Sequence, residues 1–246
     1  MTDDLQEKLR ALRLPRLAAH WEADLHEAAR QRLSHAALLT HVVEQEYRLR
    51  CDRARQQRLQ RARLPEPWTL ETFPFDRQPK LNRKLIQALY DTLDFLPKAQ
   101  NLLWLGATGC GKTGLASSFL RHAIERGATG RYVLFADLVA ELYAAVALHT
   151  QEAVLKKYLR WDVLLIDELG YVEVEPVQVG LFFTLMHKRH RKKPTLLTSN
   201  LGFSDWGSFL KNDHLTAALI DRLTEASHVI NMKQCVSLRA KLAPDP

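Results

Sequence analysis

The segment from residue 102 to residue 120 constrains the fold more than any other part of the chain. Four apolar residues, Leu102 to Leu105, precede the sequence Gly-Ala-Thr-Gly-Cys-Gly-Lys-Thr at positions 106–113, and an apolar helical sequence follows at 115–120. This spacing matches G-x-x-x-x-G-K-[ST] between a strand and a helix. It predicts a Walker A loop, which binds phosphate groups.

The residues of this loop have distinct physical roles. Its glycines let consecutive backbone N–H groups and the N-terminus of the next helix face phosphate oxygens. Lys112 is expected to bind the β- and γ-phosphates, and the hydroxyl of Thr113 to bind Mg²⁺. We therefore expect ATP and Mg²⁺ as cofactors. The predicted nucleotide contacts are Gly106, Ala107, Thr108, Gly109, Cys110, Gly111, Lys112 and Thr113.

A second motif covers residues 163–168, Val-Leu-Leu-Ile-Asp-Glu. A continuous apolar run that ends in two carboxylates is expected for a buried parallel strand whose C-terminal end opens onto the nucleotide. Asp167 is predicted to bind the nucleotide's Mg²⁺ through its water shell, and Glu168 to act as the base that polarises the attacking water. The alternative is a strand that ends in ordinary surface acids. The first motif disfavours it, so we expect hydrolysis of ATP to ADP and phosphate.

The chain divides into three parts by composition. Residues 1–65 are rich in Ala, Leu, Arg and Glu and contain no glycine, which predicts a small all-helical N-terminal domain. Four prolines between positions 65 and 79 predict a linker over residues 66–80. Residues 81–246 alternate short apolar runs with helical segments, which predicts an α/β ATPase domain on a five-stranded parallel sheet. The strands are expected near 102–106, 131–135, 162–167, 194–199 and 228–232.

The sequence carries two basic clusters. The chain has a net charge of +7, and residues 48–63 alone contain seven arginines against one aspartate. Such a run is either a solvated helix face or a surface that neutralises DNA phosphates, and the ATPase motifs favour DNA. The second cluster, residues 188–193, also suits the C-terminal end of a helix that begins near Pro176. The candidate DNA contacts are Arg48, Arg53, Arg55, Arg58, Lys188, Arg191 and Lys192.

The composition disfavours several other classes of protein. No stretch approaches the roughly 18 apolar residues of a membrane span, and the N-terminus is acidic where a signal peptide would be basic. We therefore expect a cytoplasmic protein with no membrane partner. Cys51, Cys110 and Cys235 lie far apart in the sequence, which supports neither a disulfide framework nor a zinc site.

Three further segments carry a resemblance to a known family. They are Ile-Asp-Glu-Leu-Gly-Tyr at 166–171, Ser-Asn-Leu-Gly-Phe-Ser-Asp-Trp at 199–206 and Ala-Leu-Ile-Asp-Arg-Leu at 218–223. With the two nucleotide motifs, the chain from about Leu12 to Arg239 resembles the IstB-like helper ATPases of bacterial insertion sequences. These are AAA+ P-loop proteins related to DnaC-type helicase loaders. The sequence Leu-Arg-Leu-Pro at 12–15 also resembles that family's N-terminal domain, where helicase loaders usually differ.

The resemblance suggests roles for three more residues. Asn200 lies where AAA+ proteins place sensor 1, which helps to hold the attacking water; the alternative is a turn or capping asparagine. Arg222 lies where they present an arginine finger to the nucleotide of a neighbouring subunit; the alternative is a surface arginine. Arg239 is a candidate sensor 2 residue, which contacts the nucleotide of its own subunit.

The resemblance also implies partners. A helper ATPase of this kind binds duplex DNA with little sequence preference, forms a homo-oligomer in its ATP state and recruits a partner transposase to target DNA. Hydrolysis then releases or remodels the assembly. Two alternatives stay open: a loader that opens a ring helicase, and a P-loop kinase that acts on a small molecule as a monomer without DNA.

Overall fold

The chain forms two compact units, residues 1–57 and residues 58–246. The structure is a computed structural model, and it describes residues 2–239. The division falls inside a long helix whose last residues, including Leu59 and Ala62, pack into the core of the second unit. The limits predicted from the sequence, 1–65, 66–80 and 81–246, stay a prediction. No helix in residues 2–239 is both long and apolar enough to span a membrane.

The first unit contains three helices, and one helix supplies the N-terminal cap of another. Leu14 precedes the second helix and has no side-chain oxygen to cap it. The buried carboxylate of Glu46 instead accepts hydrogen bonds from the backbone N–H groups of Arg16 (3.0 Å) and Leu17 (3.1 Å). A negative charge at this position also opposes the positive end of the helix dipole. The helices are α1 (Asp3–Ala11), α2 (Pro15–Gln31) and α3 (His35–Ala62), the last of which continues into the second unit.

The second unit is built on a five-stranded parallel sheet with the strand order β2-β3-β4-β1-β5. The prediction of an α/β fold with five parallel strands is therefore confirmed, and each strand lies within two residues of its predicted limits. The strands are β1 (Asn101–Leu105), β2 (Gly130–Leu134), β3 (Val163–Leu169), β4 (Thr195–Ser199) and β5 (Ser227–Asn231).

Helices cover both faces of this sheet, which explains why the central strands are apolar throughout. Successive residues of a strand point to opposite faces, so Leu102 and Trp104 pack in one core while Leu103 and Leu105 pack in the other. A 3₁₀ turn, Phe75–Arg77, precedes the helices. The helices are α4 (Arg83–Thr92), α5 (Lys112–Glu125), α6 (Phe135–Ala147), α7 (Gln151–Leu159), α8 (Pro176–Arg189), α9 (Phe203–Leu210) and α10 (Asp213–Thr224).

Arg189 ends α8 inside the protein, so this member of the second basic cluster is not a surface cation. Its side chain is 1% exposed. Burial lowers the pKa of Arg189 to about 10, which still leaves it charged at neutral pH. The guanidinium donates to the carbonyl oxygens of Tyr158 (3.2 Å), Trp161 (3.0 Å), Asp162 (3.4 Å) and Pro194 (2.7 Å), and to the hydroxyl of Thr195 (3.2 Å). It therefore ties the end of α7 to the beginnings of β3 and β4.

Candidate nucleotide-binding site

The Walker A loop connects the C-terminal end of β1 to the N-terminus of α5. Gly109 and Gly111 have φ angles of 82° and 94°, a left-handed conformation that glycine adopts without strain. Lys112 is buried, and its Nζ donates to the carbonyl oxygens of Gly106 (2.7 Å) and Ala107 (2.8 Å). Burial lowers the pKa of Lys112, although nearby acidic groups oppose this effect. The loop thus places one cation and a helix N-terminus at the same point, which is the requirement for binding phosphate.

The carboxylate of Asp167 lies at the centre of the site. The Thr113 hydroxyl donates to it at 3.0 Å from each carboxylate oxygen, so the structure brings together the two predicted Mg²⁺ ligands. Mg²⁺ in nucleotide sites is held by one or two protein oxygens together with phosphate oxygens and water. One carboxylate and one hydroxyl beside a phosphate-binding loop fit this requirement.

Two residues that the sequence did not single out also bind Asp167. The hydroxyl of Tyr132, on β2, donates to Asp167 Oδ2 at 3.0 Å, and burial beside this carboxylate raises the pKa of Tyr132 far above its ordinary value. The hydroxyl of Thr198, on β4, donates to Asp167 Oδ1 and accepts from the backbone N–H of Glu168 at 3.0 Å. Thr198 is one of three hydroxyl residues in the buried strand β4, so the sequence did not distinguish it from Thr195 and Ser199.

Glu168 points its carboxylate into the same cavity from an unusual backbone conformation. Its φ is 63°, and the pairing of β3 with β4 is irregular between Ile166 and Leu169. Non-glycine residues with positive φ are uncommon and concentrate at functional sites. The irregularity turns Glu168 out of the sheet, so its side chain is exposed while Asp167 is buried.

Asn200 lies beside the turn that follows β3. A Cβ atom at Gly170 would lie 2.5 Å from Asn200 Oδ1, so only glycine fits there. This Oδ1 is buried and accepts no hydrogen bond within residues 2–239. At the next position the hydroxyl of Tyr171 lies 2.6 Å from that of Thr108. The turn after β3 thereby contacts the phosphate-binding loop.

The Walker A loop, Asp167 and Glu168 border a cavity of about 400 Å³, and Asn200 is not one of the residues that line it. Its walls include Trp68 and Glu66 from the segment before the sheet, and Leu238 and Arg239 from the segment after it. Clefts of roughly 300 to 1,000 Å³ hold small-molecule ligands and cofactors in proteins. Arg239 therefore lines the same cavity as Lys112, Thr113, Asp167 and Glu168.

Gln78 joins the two segments that flank the sheet. Its buried Nε2 donates to the carbonyl oxygens of Cys110 (3.2 Å) and Val236 (2.6 Å), and its Oε1 accepts from the N–H of Val236 (3.0 Å). The N–H of Leu238 also donates to the carbonyl oxygen of Gly109 at 2.8 Å. Residues 236–238 are thereby held against the Walker A loop, and Gln78 is a structural part of the site that sequence patterns did not reveal.

Arg222 lies outside this cavity and is held by contacts with α8. Its Nε donates to Nδ1 of His187 at 3.1 Å, and its guanidinium lies 4.8 Å from the centroid of the Phe183 ring. A second nitrogen donates to the carbonyl oxygen of Ala218 at 2.8 Å. Within one chain Arg222 therefore does not contact the other candidate catalytic groups.

The candidate DNA contacts differ in whether their side chains form ion pairs and in how exposed they are. Arg48 and Arg55 form ion pairs with Glu44 (3.9 Å) and Asp52 (3.3 Å), one helical turn away. Exposed pairs of this kind are weak, so phosphate can replace the carboxylate at little cost. Arg191 pairs with Glu225, and Arg58 is half-buried. The remaining candidates, Arg53, Lys188 and Lys192, are exposed.

Comparison with known proteins identifies the family. The family model described as IstB-like ATP binding protein matches residues 7–243. This chain belongs to that family. An ATP-binding protein of insertion sequence IS21 from Pseudomonas aeruginosa is 34% identical over 230 residues, which cover 94% of this chain and 86% of the relative. Its counterpart in insertion sequence IS5376 from Geobacillus stearothermophilus is 33% identical, with 95% of this chain and 92% of the relative covered.

Solved structures show the same fold at lower sequence identity. DnaI has a TM-score of 0.57 and 20% identity over 67% of this IstB-family chain and 90% of its own. The DnaC helicase loader has a TM-score of 0.52 and 22% identity over 61% and 87% of the two chains. AMPPCP-bound DnaA from Aquifex aeolicus has a TM-score of 0.57 and 19% identity over 70% and 51%. Over about two thirds of its length, the chain therefore shares the α/β fold of these proteins.

Proposed function

We propose that this IstB-family protein is a Mg²⁺-dependent ATPase that assembles on duplex DNA in its ATP state and acts as a transposition helper. In this role it selects target DNA and recruits or stimulates a partner transposase. The observation that carries the ATPase part is the convergence of Lys112, the Thr113–Asp167 pair and the exposed Glu168 carboxylate on one cavity. Family membership supports the transposition part.

Side chains in the cavity, together with Asn200 beside it, have separate roles in the proposed hydrolysis. The loop N–H groups and Lys112 bind the phosphates. Thr113 and Asp167 would hold Mg²⁺, which would supply positive charge beside the phosphate oxygens. Glu168 accepts a proton from the attacking water, and Asn200 helps to hold that water. Tyr132 and Thr198 keep the Asp167 carboxylate in position through their hydrogen bonds.

We further propose that hydrolysis depends on assembly, because Arg222 acts on the nucleotide of a neighbouring subunit. Arg239 lines the cavity of its own chain, whereas Arg222 lies away from it. In our proposal Arg222 reaches the γ-phosphate bound by a neighbouring subunit. A guanidinium in this role accelerates phosphoryl transfer by about 10³- to 10⁵-fold. Cleavage is then slow in the monomer and fast once neighbours are aligned on DNA.

We expect duplex DNA and ATP together to convert the protein into a large assembly, which light scattering or sedimentation will detect. Because the candidate contacts are cations that neutralise phosphates, DNA binding should weaken steeply between about 50 and 200 mM salt. It should also change little when the DNA sequence is changed. Arg222→Ala should still assemble, because Arg222 is not among the proposed DNA contacts, but it should hydrolyse ATP slowly.

The proposal fails if DNA and ATP cause no assembly and DNA does not affect ATP hydrolysis. A protein that stays monomeric with DNA and ATP, and whose hydrolysis ignores DNA, would contradict the transposition proposal and favour a small-molecule P-loop enzyme. A helicase loader stays the second candidate because DnaI and DnaC share the fold. The insertion-sequence relatives are more similar in sequence and favour transposition. Co-purification with a transposase or with a ring helicase distinguishes the two functions.

A further inference from the structure

Gly114, in the first turn of α5, provides space for the indole ring of Trp68. A Cβ atom at Gly114 would lie 2.8, 3.0 and 3.1 Å from three ring carbons of Trp68, so the flat ring packs directly against the helix backbone. From the sequence alone this glycine would only loosen the helix, by roughly 1 kcal/mol relative to alanine. In the structure, the missing side chain of Gly114 makes room for the indole, which a larger residue at this position would displace.

The position of the Trp68 ring is fixed from its other edge. Its Nε1 donates a hydrogen bond to the carboxylate of Glu66. Trp68 is half-buried, and it lines the same cavity as Lys112 and Thr113. The indole therefore packs against Gly114 in the wall of the nucleotide site without being covered completely.

The geometry of a Walker A loop shows which part of a nucleotide lies near this ring. The loop lysine reaches the β- and γ-phosphates, and the loop backbone surrounds the α- and β-phosphates at the N-terminus of the helix. Asp167 and Glu168 mark the γ-phosphate end of the cavity. The ribose and base must extend from the opposite end, beside the first turn of α5, where Trp68 covers Gly114.

We propose that Trp68, placed on Gly114, is the residue that contacts the base and ribose of the bound nucleotide by stacking. Pro65 and Leu238 line the same cavity and add apolar surface. Stacking on an indole requires only an aromatic ligand ring, so this contact favours nucleoside triphosphates over base-free polyphosphates without selecting one base. This inference rests on the proposed function, because it requires nucleotide in this cavity.

The stacking role predicts a selective loss of affinity. We expect Trp68→Ala to weaken ATP binding by roughly 5- to 100-fold, the usual effect of removing an aromatic ring from a base. Binding of inorganic tripolyphosphate, which has phosphates but no base, should be unchanged. Trp68→Phe should retain most of the ATP affinity. Calorimetric titration of each variant with both ligands measures these effects without any need for hydrolysis.

Gly114→Ala gives an independent test of the same contact. The added methyl group would force the indole away from the helix, so this variant should weaken ATP binding about as much as Trp68→Ala does. The double variant should be no weaker than either single variant, because both changes remove one contact. Thermal unfolding of each variant shows whether the second unit remains folded.

Tryptophan fluorescence provides a direct signal. Trp104 and Trp206 are fully buried, whereas Trp68 borders the cavity. Trp21 is half-buried in α2 of the first unit and serves as the control. ADP binding should change the emission of the wild type and of Trp21→Phe, and this change should disappear in Trp68→Phe. Equal weakening of ATP and tripolyphosphate by Trp68→Ala, or no weakening of either, would overturn the stacking role alone. Failure of the wild type to bind either ligand would overturn the proposed function as well.

Discussion

Glu168→Gln is expected to lower the rate of ATP hydrolysis by about 10²- to 10⁴-fold, the usual contribution of a general base, while ATP binding changes little. The amide has the size of the carboxylate but cannot accept a proton. The Glu168 side chain is exposed in the cavity, whereas Lys112 and the loop backbone, which bind the phosphates, stay intact. Phosphate release under single-turnover conditions and ATP affinity by titration measure the two effects separately.

A matched control for this variant lies five residues farther along the chain. Glu173 is an exposed glutamate that is 3.8 Å from Lys211 and does not line the cavity. Glu173→Gln should hydrolyse ATP at the wild-type rate. If Glu168→Gln also hydrolysed at that rate, Glu168 would not be the base. If Glu168→Gln failed to bind ATP, the Glu168 carboxylate would be needed for nucleotide binding and its role as a base would not be supported.

Arg189→Met is expected to lower the free energy of unfolding by about 3–5 kcal/mol, because buried carbonyl groups lose their donor. The loss should appear as a lower urea midpoint for the second unit. Burial brings the pKa of Arg189 down to about 10, below its ordinary 12.5. Its protonation therefore does not differ between the folded and unfolded states at neutral pH, and the destabilisation should be constant from about pH 6 to pH 9.

Lys188 is the natural control for Arg189, because it is the preceding residue on α8 and is exposed. Lys188→Met should change the free energy of unfolding by no more than about 0.5 kcal/mol, as surface substitutions usually do. Equal effects of the two substitutions would show that Arg189 has no special structural role. Lys188→Met is instead expected to weaken DNA binding, because Lys188 is a proposed phosphate contact.

The parts of the fold that depend on local sequence were predictable. Strands such as β3 (Val163–Leu169) are continuous apolar runs, and α8 begins at the proline that the sequence marked. The Walker A loop has a fixed spacing between a strand and a helix, and β1 and α5 lie on its two sides as expected. Each of these signals lies within about ten consecutive residues.

The parts of the site that depend on distant contacts were not predictable. Tyr132, Thr198 and Gln78 gain their roles from partners more than 30 residues away. No short pattern encodes such a pairing. Neither Gly114 nor Trp68 belongs to a recognisable sequence motif. Their proposed role depends on the contact between them, which only the structure shows.

The charge pattern of the sequence also did not show which basic residues are exposed and which are buried. Residues 188–193 form one basic cluster in sequence, yet Arg189 is fully buried while Lys188 is exposed. Helical geometry turns successive side chains by about 100°, so neighbours in the chain face different surroundings. Which face is buried depends partly on the end of α7 and the start of β3, which lie 27 to 31 residues before Arg189 in the chain.

The central claim, that each ATP site is completed by a neighbouring subunit, is tested most directly by mixing two inactive variants. Glu168→Gln keeps Arg222 but lacks the base, and Arg222→Ala keeps the base but lacks the arginine. With duplex DNA, each variant alone should hydrolyse ATP slowly. An equimolar mixture should recover about a quarter of the wild-type rate, because one interface in four then pairs an intact base with an intact arginine. A mixture as inactive as its components, or an Arg222→Ala protein as active as the wild type, would contradict the account.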